Sequence, residues 1–377
     1  MNEKRIIGLD VLRSIAILAV IFGHASFLFN PLIKIPILGI VIKYIVTLNE
    51  IIAFLGVEIF FVLSGFLVSR IIYDTLLHLS DFKNTLKQFY TNRWLRTLPN
   101  YYLSIIVNIY IYHDFSFSYL LFLQNLLYPH PIFFKEAWSL AIEEWFYLLF
   151  PIILCLFHLK LKIKLSTAFI FSIILFILFS IVSKVTFIEF HSNQFYNFDV
   201  YIRKIVAFRF DSIAIGILGF WISNYKKEAW LKYKSNLSFV SLFLFVLSVF
   251  IFWLLYKNNY KLYYSNIIFY KLTAIFYTLI WAIIILGFFP LLSTFKKFNY
   301  NILNIIFSFI SKISYSLYLC NLPVLILLKR HYFIESKDIS HSIFQLIVYY
   351  SILLLISSIV YKYYEKVFMN MRKRIAV

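Results

Sequence analysis

Three ionisable side chains lie in the first apolar stretch of the chain, residues 9–29. Asp10 and Arg13 are three residues apart, so on a helix they share one face and can form an ion pair. Arg13 and His24 are eleven residues apart, and eleven steps of 100° place them on the same face with a rise of about 16 Å between them. Ionisable groups inside a membrane helix cost about 2.5–3.5 kcal/mol each and usually face a cavity or a partner. This helix is therefore predicted to line a polar space.

Polar side chains also interrupt or flank four later apolar stretches. They are Glu58 with Ser64, Arg93 with Arg96 beside Pro99, Trp138 and Ser139 with Glu143 and Glu144, and Arg209 with Asp211. With the N-terminus inside, the arginine pair lies on the inner side, whereas His24 and the acidic pair lie towards the outer side. This separation suggests an anionic, phosphate-bearing donor at the inner mouth. A His has an ordinary pKa of about 6.5, so His24 suits proton transfer nearer the outer face.

Each of these residues also has a purely structural explanation, and the sequence alone does not decide between that explanation and a function. His24 could be a hydrogen-bonded packing residue between helices. Asp10 and Arg13 could be a structural pair, and acids such as Glu143 favour the start of a helix whatever the function. Arg93 and Arg96 could be ordinary basic residues of a cytoplasmic loop.

The chain has the composition of a membrane protein. It is 62% hydrophobic and only 14% charged, whereas soluble domains have about 45–50% apolar and 25% charged residues. A spanning helix needs about 20 mainly apolar residues, and ten stretches qualify. They are residues 9–29, 51–73, 98–112, 138–157, 165–187, 203–223, 236–256, 267–290, 307–329 and 342–364. Two shorter pieces, 35–48 and 115–128, are predicted to be interfacial or re-entrant.

The distribution of Lys and Arg predicts the orientation. Ten spans put both termini on one side, and the loops on that side carry more Lys and Arg, which predicts cytoplasmic termini. The net charge of +19 would suit nucleic acid, but the basic residues occur in short clusters between apolar runs. No nucleic-acid partner is therefore predicted. No His, Asp, Glu or Cys cluster has the spacing of metal ligands, so no metal is predicted. The fold class is an all-α, polytopic helix bundle without an appended soluble domain.

Several of these blocks together resemble the acyltransferase 3 family of integral membrane proteins. The first helix has a basic residue, ten intervening residues and a His, here Arg13 and His24. Four other blocks agree in order and spacing across nearly the whole chain. They are Phe60 to Leu67, Arg93-x-x-Arg96-x-x-Pro99, Trp138 to Tyr147, and Arg209-Phe210-Asp211 with Gly216.

The resemblance implies transfer of an acetyl or similar short acyl group from cytoplasmic acetyl-CoA to a hydroxyl of an envelope or lipid-linked glycan. It implies His24 as the catalytic base and Glu143 as a supporting acid. Arg13 would bind or position the donor, and Arg93 and Arg96 would hold the phosphates of coenzyme A. No Ser nucleophile elbow occurs in the sequence, so direct transfer is preferred over a covalent acyl-enzyme.

The chain departs from the family pattern in one place. The run from Ser314 to Pro323 resembles a family segment that usually has His where Asn321 stands. Asn can form hydrogen bonds but cannot exchange protons near neutral pH. Either this position is not required for proton transfer, or the chemistry of this chain is altered.

Two other functions remain open. A transporter or polysaccharide exporter could relay protons through Asp10, Arg13, His24 and Glu58, although the two halves of the chain show no internal repeat. An inactive scaffold in a polysaccharide-assembly machine is the third. The leading prediction is a multi-pass acyltransferase in a bacterial inner membrane, in contact with lipid, acyl-CoA and a glycan. A homodimer and a polysaccharide-assembly partner are both compatible with the sequence.

Overall fold

The computed structural model describes residues 6–35, 38–79, 81–190, 197–257, 267–333 and 338–375. Over these ranges the regular structure is helical and no strand occurs, as the apolar runs predict. The α-helices are α1 (Ile7–Ala25), α2 (Leu38–Thr47), α3 (Asn49–His78), α4 (Phe82–Tyr112), α5 (Ala137–Cys155), α6 (Leu165–Phe190), α7 (Phe210–Tyr225), α8 (Lys227–Lys232), α9 (Lys234–Lys257), α10 (Ile267–Leu286), α11 (Phe289–Thr294), α12 (Asn301–His331), α13 (Ile339–Val360) and α14 (Lys366–Ile375).

Eight helical segments in the described part of the chain are long and apolar enough to span a membrane. They are Ile7–Lys34, Ile51–His78, Ala137–Lys160, Leu165–Phe190, Lys234–Ile251, Ile267–Thr294, Asn301–His331 and Ile339–Met371. Each contains all or most of a stretch predicted from sequence. The protein is thus a multi-pass helical membrane protein.

The predicted spans 98–112 and 203–223 are not among these eight segments. The first is the second half of α4, which begins at Phe82 and continues through Pro99. The basic first half of α4 lowers its mean hydropathy, and Arg93 and Arg96 are helical rather than in a loop. The second is shorter than predicted because Ile205 is extended, and α7 begins only at Phe210 and has 16 residues.

Smaller differences occur elsewhere. The predicted span 267–290 is interrupted, because α10 ends at Leu286 and α11 begins at Phe289. The piece 35–48 forms the short helix α2, with residues 36 and 37 outside the described ranges. The piece 115–128 contains one 3₁₀ turn, Phe117–Leu121. Both pieces are too short to span, as predicted.

Successive long helices run in opposite directions. Ser14 donates a hydrogen bond to the carbonyl of Phe307, and His24 contacts Asn321, so α1 and α12 are parallel. Similar contacts show that α4, α6 and α9 are also parallel to α1. By the same criterion α3, α5, α7, α10 and α13 are antiparallel to α1. The direction of the chain therefore alternates from each of these ten described helices to the next.

Close packing of α3 against α7 depends on two glycines. A Cβ at Gly65 would lie 2.0 Å from the carbonyl oxygen of Ile213, and a Cβ at Gly216 would lie 2.1 Å from that of Val62. Small residues allow helix backbones to approach closely, which is how membrane helices gain packing energy. This contact fixes α3, the helix that forms one wall of the cavity described next.

Candidate active site

A cavity lies between α1, α3, α4, α5 and α12. It encloses about 860 Å³ including its open mouth, within the usual size range of ligand pockets. It follows α3 from Val57 to Ile71, which is about 21 Å of helix and much of the roughly 30 Å hydrocarbon thickness. Its polar lining comprises Arg13, Ser64, Arg93, Arg96, Thr97, Ser139, Glu143, Tyr147, Ser314, Tyr315 and Tyr318.

Three arginines make one end of the cavity basic. Arg93 and Arg96 are three residues apart on α4, and Arg13 projects from the first half of α1. The guanidinium carbon of Arg93 lies 3.8 Å from the centroid of the Tyr147 ring. Arg13 donates to Ser311 Oγ at 3.1 Å and lies 3.9 Å from Asp10. Because Glu143 is the acidic residue of this lining, the cavity has an excess of positive charge, which suits a phosphate-bearing ligand.

The acidic pair Glu143 and Glu144, in the second turn of α5, lies in two different environments. Glu143 lines the cavity and hydrogen-bonds the side chains of Tyr147 and Ser64, which also contact each other. Glu144 is buried beside Thr97 and Arg93, and its Oε2 lacks a hydrogen-bond partner among the described residues. The carboxyl group that faces the cavity is therefore that of Glu143, the member of the pair predicted to support catalysis.

Tyr318 and Ser139 close the opposite end of the cavity. The hydroxyl groups of these two side chains are 2.6 Å apart, and the Tyr318 hydroxyl also donates to the carbonyl of Glu136 at 3.1 Å. Trp138 packs edge-on against Phe61 just behind this pair. Ser64 and Ser139, both predicted pocket residues, thus line the cavity, and Trp138 supports its wall.

His24 lies just beyond this closed end. Its Nδ1 is 2.5 Å from Oδ1 of Asn321, and Asn321 follows Tyr318 by three residues, about 4.5 Å further along α12. His24 is half-buried, whereas Asn321 is fully buried. Lys135, Arg203 and Lys204 lie within electrostatic range of the imidazole. The cavity and His24 therefore follow each other along the bundle, with Tyr318 between them.

Three other predicted pocket residues lie outside the cavity lining, in a fully buried network of charges. Arg209 donates to Glu58 at 2.5 Å and lies 3.9 Å from Asp211. Asp211 is paired with Lys184 at 2.6 Å, and Thr278 donates to the same carboxylate at 2.7 Å. Two cations and two anions thus balance inside the bundle and tie α3, α6, α7 and α10 together. Asp10 is also outside the lining, where its Oδ1 accepts from Ser311 at 2.7 Å.

Sequence reasoning missed several residues of these two clusters. Lys184 stands alone in the apolar stretch 165–187, and its cost within a membrane was itself a signal that it must have a partner. Tyr315 and Tyr318 line the cavity, but tyrosines are numerous in this chain, with 29 in all. Among the described residues, no group of three or more His, Cys, Asp or Glu side chains could hold a metal ion.

Glu136 is a further buried acid near the Tyr318 end of the cavity. It immediately precedes the membrane segment that begins at Ala137. Its Oε1 lacks a hydrogen-bond partner within the described ranges, although the Leu322 backbone donates to its carboxyl group. Burial, only partly offset by hydrogen bonds and by Lys135, raises the pKa of Glu136 to about 8.

This shift predicts a pH-dependent stability. Between pH 4.5 and 8 the folded protein keeps the Glu136 proton and the unfolded chain loses it, so this residue makes folding less favourable as pH rises through that window. Glu136→Gln removes the titration but keeps an acceptor oxygen. We expect the variant to gain stability relative to wild type from pH 5 to pH 8, measured as thermal unfolding at both pH values. Equal pH dependence of the two proteins would contradict the assignment.

Comparison with known proteins identifies the family of this chain. Residues 6–362 match the sequence profile of acyltransferase family 3, described as an acyltransferase domain. The peptidoglycan O-acetyltransferase OatA of Listeria monocytogenes is 32% identical over 181 residues, which are 41% of this chain and 25% of that protein. The putative peptidoglycan O-acetyltransferase YrhL of Bacillus subtilis is 28% identical over 197 residues, 46% of this chain and 27% of that protein.

A putative O-acetyltransferase of Staphylococcus aureus is 30% identical over 189 residues, 44% of this chain and 27% of that protein. The aligned part is thus about a quarter of the length of these curated relatives. No solved structure matches the chain. The family match extends over nearly the whole sequence and includes every element that lines the cavity. The chain therefore belongs to the acyltransferase 3 family.

Proposed function

We propose that the protein is a membrane O-acyltransferase that moves an acetyl or similar short acyl group from cytoplasmic acyl-CoA to a hydroxyl of a cell-envelope or lipid-linked glycan. The observation that carries the proposal is that the cavity and His24 lie in line along the bundle, separated only by the contact of Tyr318 with Ser139. Three arginines lie at one end of the cavity, and the half-buried His24 lies beyond the other end. The names of the relatives support acetyl as the acyl group and a cell-wall glycan as the acceptor class.

The proposed topology has ten spans with both termini in the cytoplasm of a bacterial inner membrane. The eight apolar segments, together with α4 and α7, support ten crossings because the ten helices alternate in direction. The bias of Lys and Arg towards the N-terminal side supports the orientation. In this orientation the arginine end of the cavity faces the cytoplasm, where acyl-CoA is found, and His24 faces outward.

The proposed reaction is direct transfer with His24 as the general base. The imidazole takes the proton of the acceptor hydroxyl while the hydroxyl oxygen attacks the thioester carbonyl carbon. The carbon–sulfur bond breaks, coenzyme A leaves as the thiolate, and the imidazolium returns the proton to it. Arg93 and Arg96 bind phosphate groups of the donor, Arg13 positions the donor, and Glu143 holds Tyr147 and Ser64 in place by hydrogen bonds. For the acyl end to reach His24, the contact between Tyr318 and Ser139 must open.

Glycan mass spectrometry tests the proposed function. Cells lacking the protein are compared with cells that express it again at a measured membrane abundance. Acetyl-sized mass increments that disappear and return with the protein support the acyltransferase. Unchanged acylation, together with a smaller amount of glycan at the surface, would instead favour a polysaccharide exporter.

Arg96→Ala is predicted to weaken donor binding. Removing one charge-assisted contact to phosphate costs about 1.5–3 kcal/mol, so we expect the KM for acetyl-CoA to rise roughly 10- to 100-fold while the KM for the glycan stays constant. Initial rates of the purified protein in lipid discs measure both constants. Arg70→Ala removes an exposed arginine of α3 that pairs weakly with Asp74 and serves as the control. An unchanged KM for acetyl-CoA would place the phosphates elsewhere.

A further inference from the structure

The side-chain amide of Asn321 has a fixed orientation. Its Nδ2 donates to the backbone carbonyl of Tyr318 and lies 3.4 Å from that of Leu317. Carbonyl oxygens only accept hydrogen bonds, so a reversed amide would place its oxygen against two other acceptors. The amide oxygen Oδ1 must therefore face His24. Because Asn321 is fully buried, water cannot replace these partners freely.

The fixed amide determines which nitrogen of His24 carries the proton. The contact between His24 Nδ1 and Asn321 Oδ1 is 2.5 Å, and Oδ1 can only accept. Nδ1 must therefore be the donor. A neutral imidazole has one N–H group, so Nε2 then carries the free lone pair.

We propose that Asn321 is a positioning residue that holds neutral His24 in the Nδ1–H tautomer and so makes Nε2 the atom that accepts the hydroxyl proton. This inference adds a detail to the proposed function. The role of Nε2 as proton acceptor rests on that function, whereas the tautomer of His24 does not. In the opposite tautomer, Nε2 would carry a hydrogen and could not take a proton. The imidazolium formed during transfer keeps its Nδ1–H bond to Asn321, so the ring need not turn during the reaction.

The assignment also explains the departure from the family pattern at this position. Orienting an imidazole requires a hydrogen-bond acceptor of fixed direction, and an amide provides one without exchanging protons. Asn321 is uncharged, and the nearby charges of Lys135, Arg203 and Lys204 come from other parts of the chain. Asn in place of His is thus compatible with an unaltered base at His24.

The direct test is nitrogen NMR of the whole protein in lipid, labelled with ¹⁵N-histidine, without donor or acceptor. The His24 signals are identified as those absent from His24→Ala. Wild type is expected to show a protonated Nδ1 and an unprotonated Nε2. Asn321→Leu, which has the same branched shape but no acceptor, is expected to lose this preference. Asn321→Asp keeps an acceptor oxygen towards His24, and with its second oxygen protonated and donating to the Tyr318 carbonyl it is expected to retain the preference. Asn304→Ala removes a hydrogen-bonding Asn from the same helix, far from His24, and controls for general effects.

Kinetics provide the second readout. Partners that orient a metal-bound His typically contribute roughly 10- to 100-fold. We expect the same order here, so kcat of Asn321→Leu should fall by that factor with both KM values unchanged. Asn304→Ala should keep the wild-type kcat. An unchanged His24 tautomer in Asn321→Leu would overturn the proposal even if wild type is active. A lost tautomer preference without any transferase activity in wild type would instead reject the proposed function and leave the positioning by Asn321 intact.

Discussion

Replacement of His24 by Ala is expected to reduce glycan acylation by about 10²- to 10⁴-fold, the usual contribution of a general base. The half-buried His24 lies directly beyond the Tyr318 end of the cavity, and its imidazole is hydrogen-bonded to Asn321. Neither Glu143 nor the arginines can replace it, because they lie on the other side of Tyr318 and Ser139. The rate is measured with labelled acetyl-CoA and purified glycan in lipid discs, at matched amounts of folded protein.

The His24→Ala variant should still bind the donor. The basic end of the cavity does not include His24, so the affinity for acetyl-CoA, measured by calorimetry, should stay within about twofold of wild type. His158→Ala is a suitable control, since His158 is also partly buried but bonds the carbonyl of Ile163 beyond α5. A His24→Ala protein with a near-normal rate would exclude His24 as the base. Loss of donor binding would instead indicate a wider structural defect.

The placement of His24 shows what local sequence can predict. The 100° rotation per residue put Arg13 and His24 on one helix face, and the structure gives both polar partners on α12. The identity of those partners could not be predicted, because Asn321 is 297 residues away from His24. Such a pairing depends on which helices become neighbours, and apolar periodicity contains no information about it.

The arginines of α4 illustrate a second limit. Their place at the inner end was predicted from loop charge, but the helix was expected to begin near Pro99. It begins at Phe82, and so Arg93 and Arg96 project into the cavity at helical spacing. Proline disfavours the helical conformation of the residue before it. Tertiary contacts such as the hydrogen bond from Tyr315 to the Thr97 carbonyl accompany the continuous helix, and local sequence could not predict them.

Glu58, Arg209 and Asp211 show a third limit. Their cost in a membrane correctly predicted that each needs a partner, but it did not distinguish a cavity from an ion network. The deciding residue was Lys184, whose partner Asp211 lies 27 residues later on another helix. A lone Lys in an apolar run is compatible with either environment until the neighbouring helices are known.

Lys184→Met is expected to destabilise the folded protein by about 3–5 kcal/mol, because it leaves a fully buried negative charge uncompensated. Lys184 and Asp211 are 0% exposed and 2.6 Å apart, and Lys184 also donates to Thr278 and to the Ile275 carbonyl. Unfolding in detergent, followed by tryptophan fluorescence, measures the loss. Lys271→Met is the matched control, since Lys271 pairs with Glu189 on the surface of the bundle, where such pairs contribute about 0–1 kcal/mol.

The double variant Lys184→Met/Asp211→Asn separates charge balance from the loss of one contact. With both groups neutral, the remaining pair of Arg209 and Glu58 is balanced, and replacement of a whole buried ion pair is often close to neutral. Most of the stability lost in Lys184→Met should therefore return. A double variant as unstable as the single one would mean that packing of the Lys184 stem, rather than its charge, holds α6 against α7. Recovery would show that the four charges of the network balance one another. Their role is then to stabilise the bundle that carries His24, and this role requires no part in proton transfer.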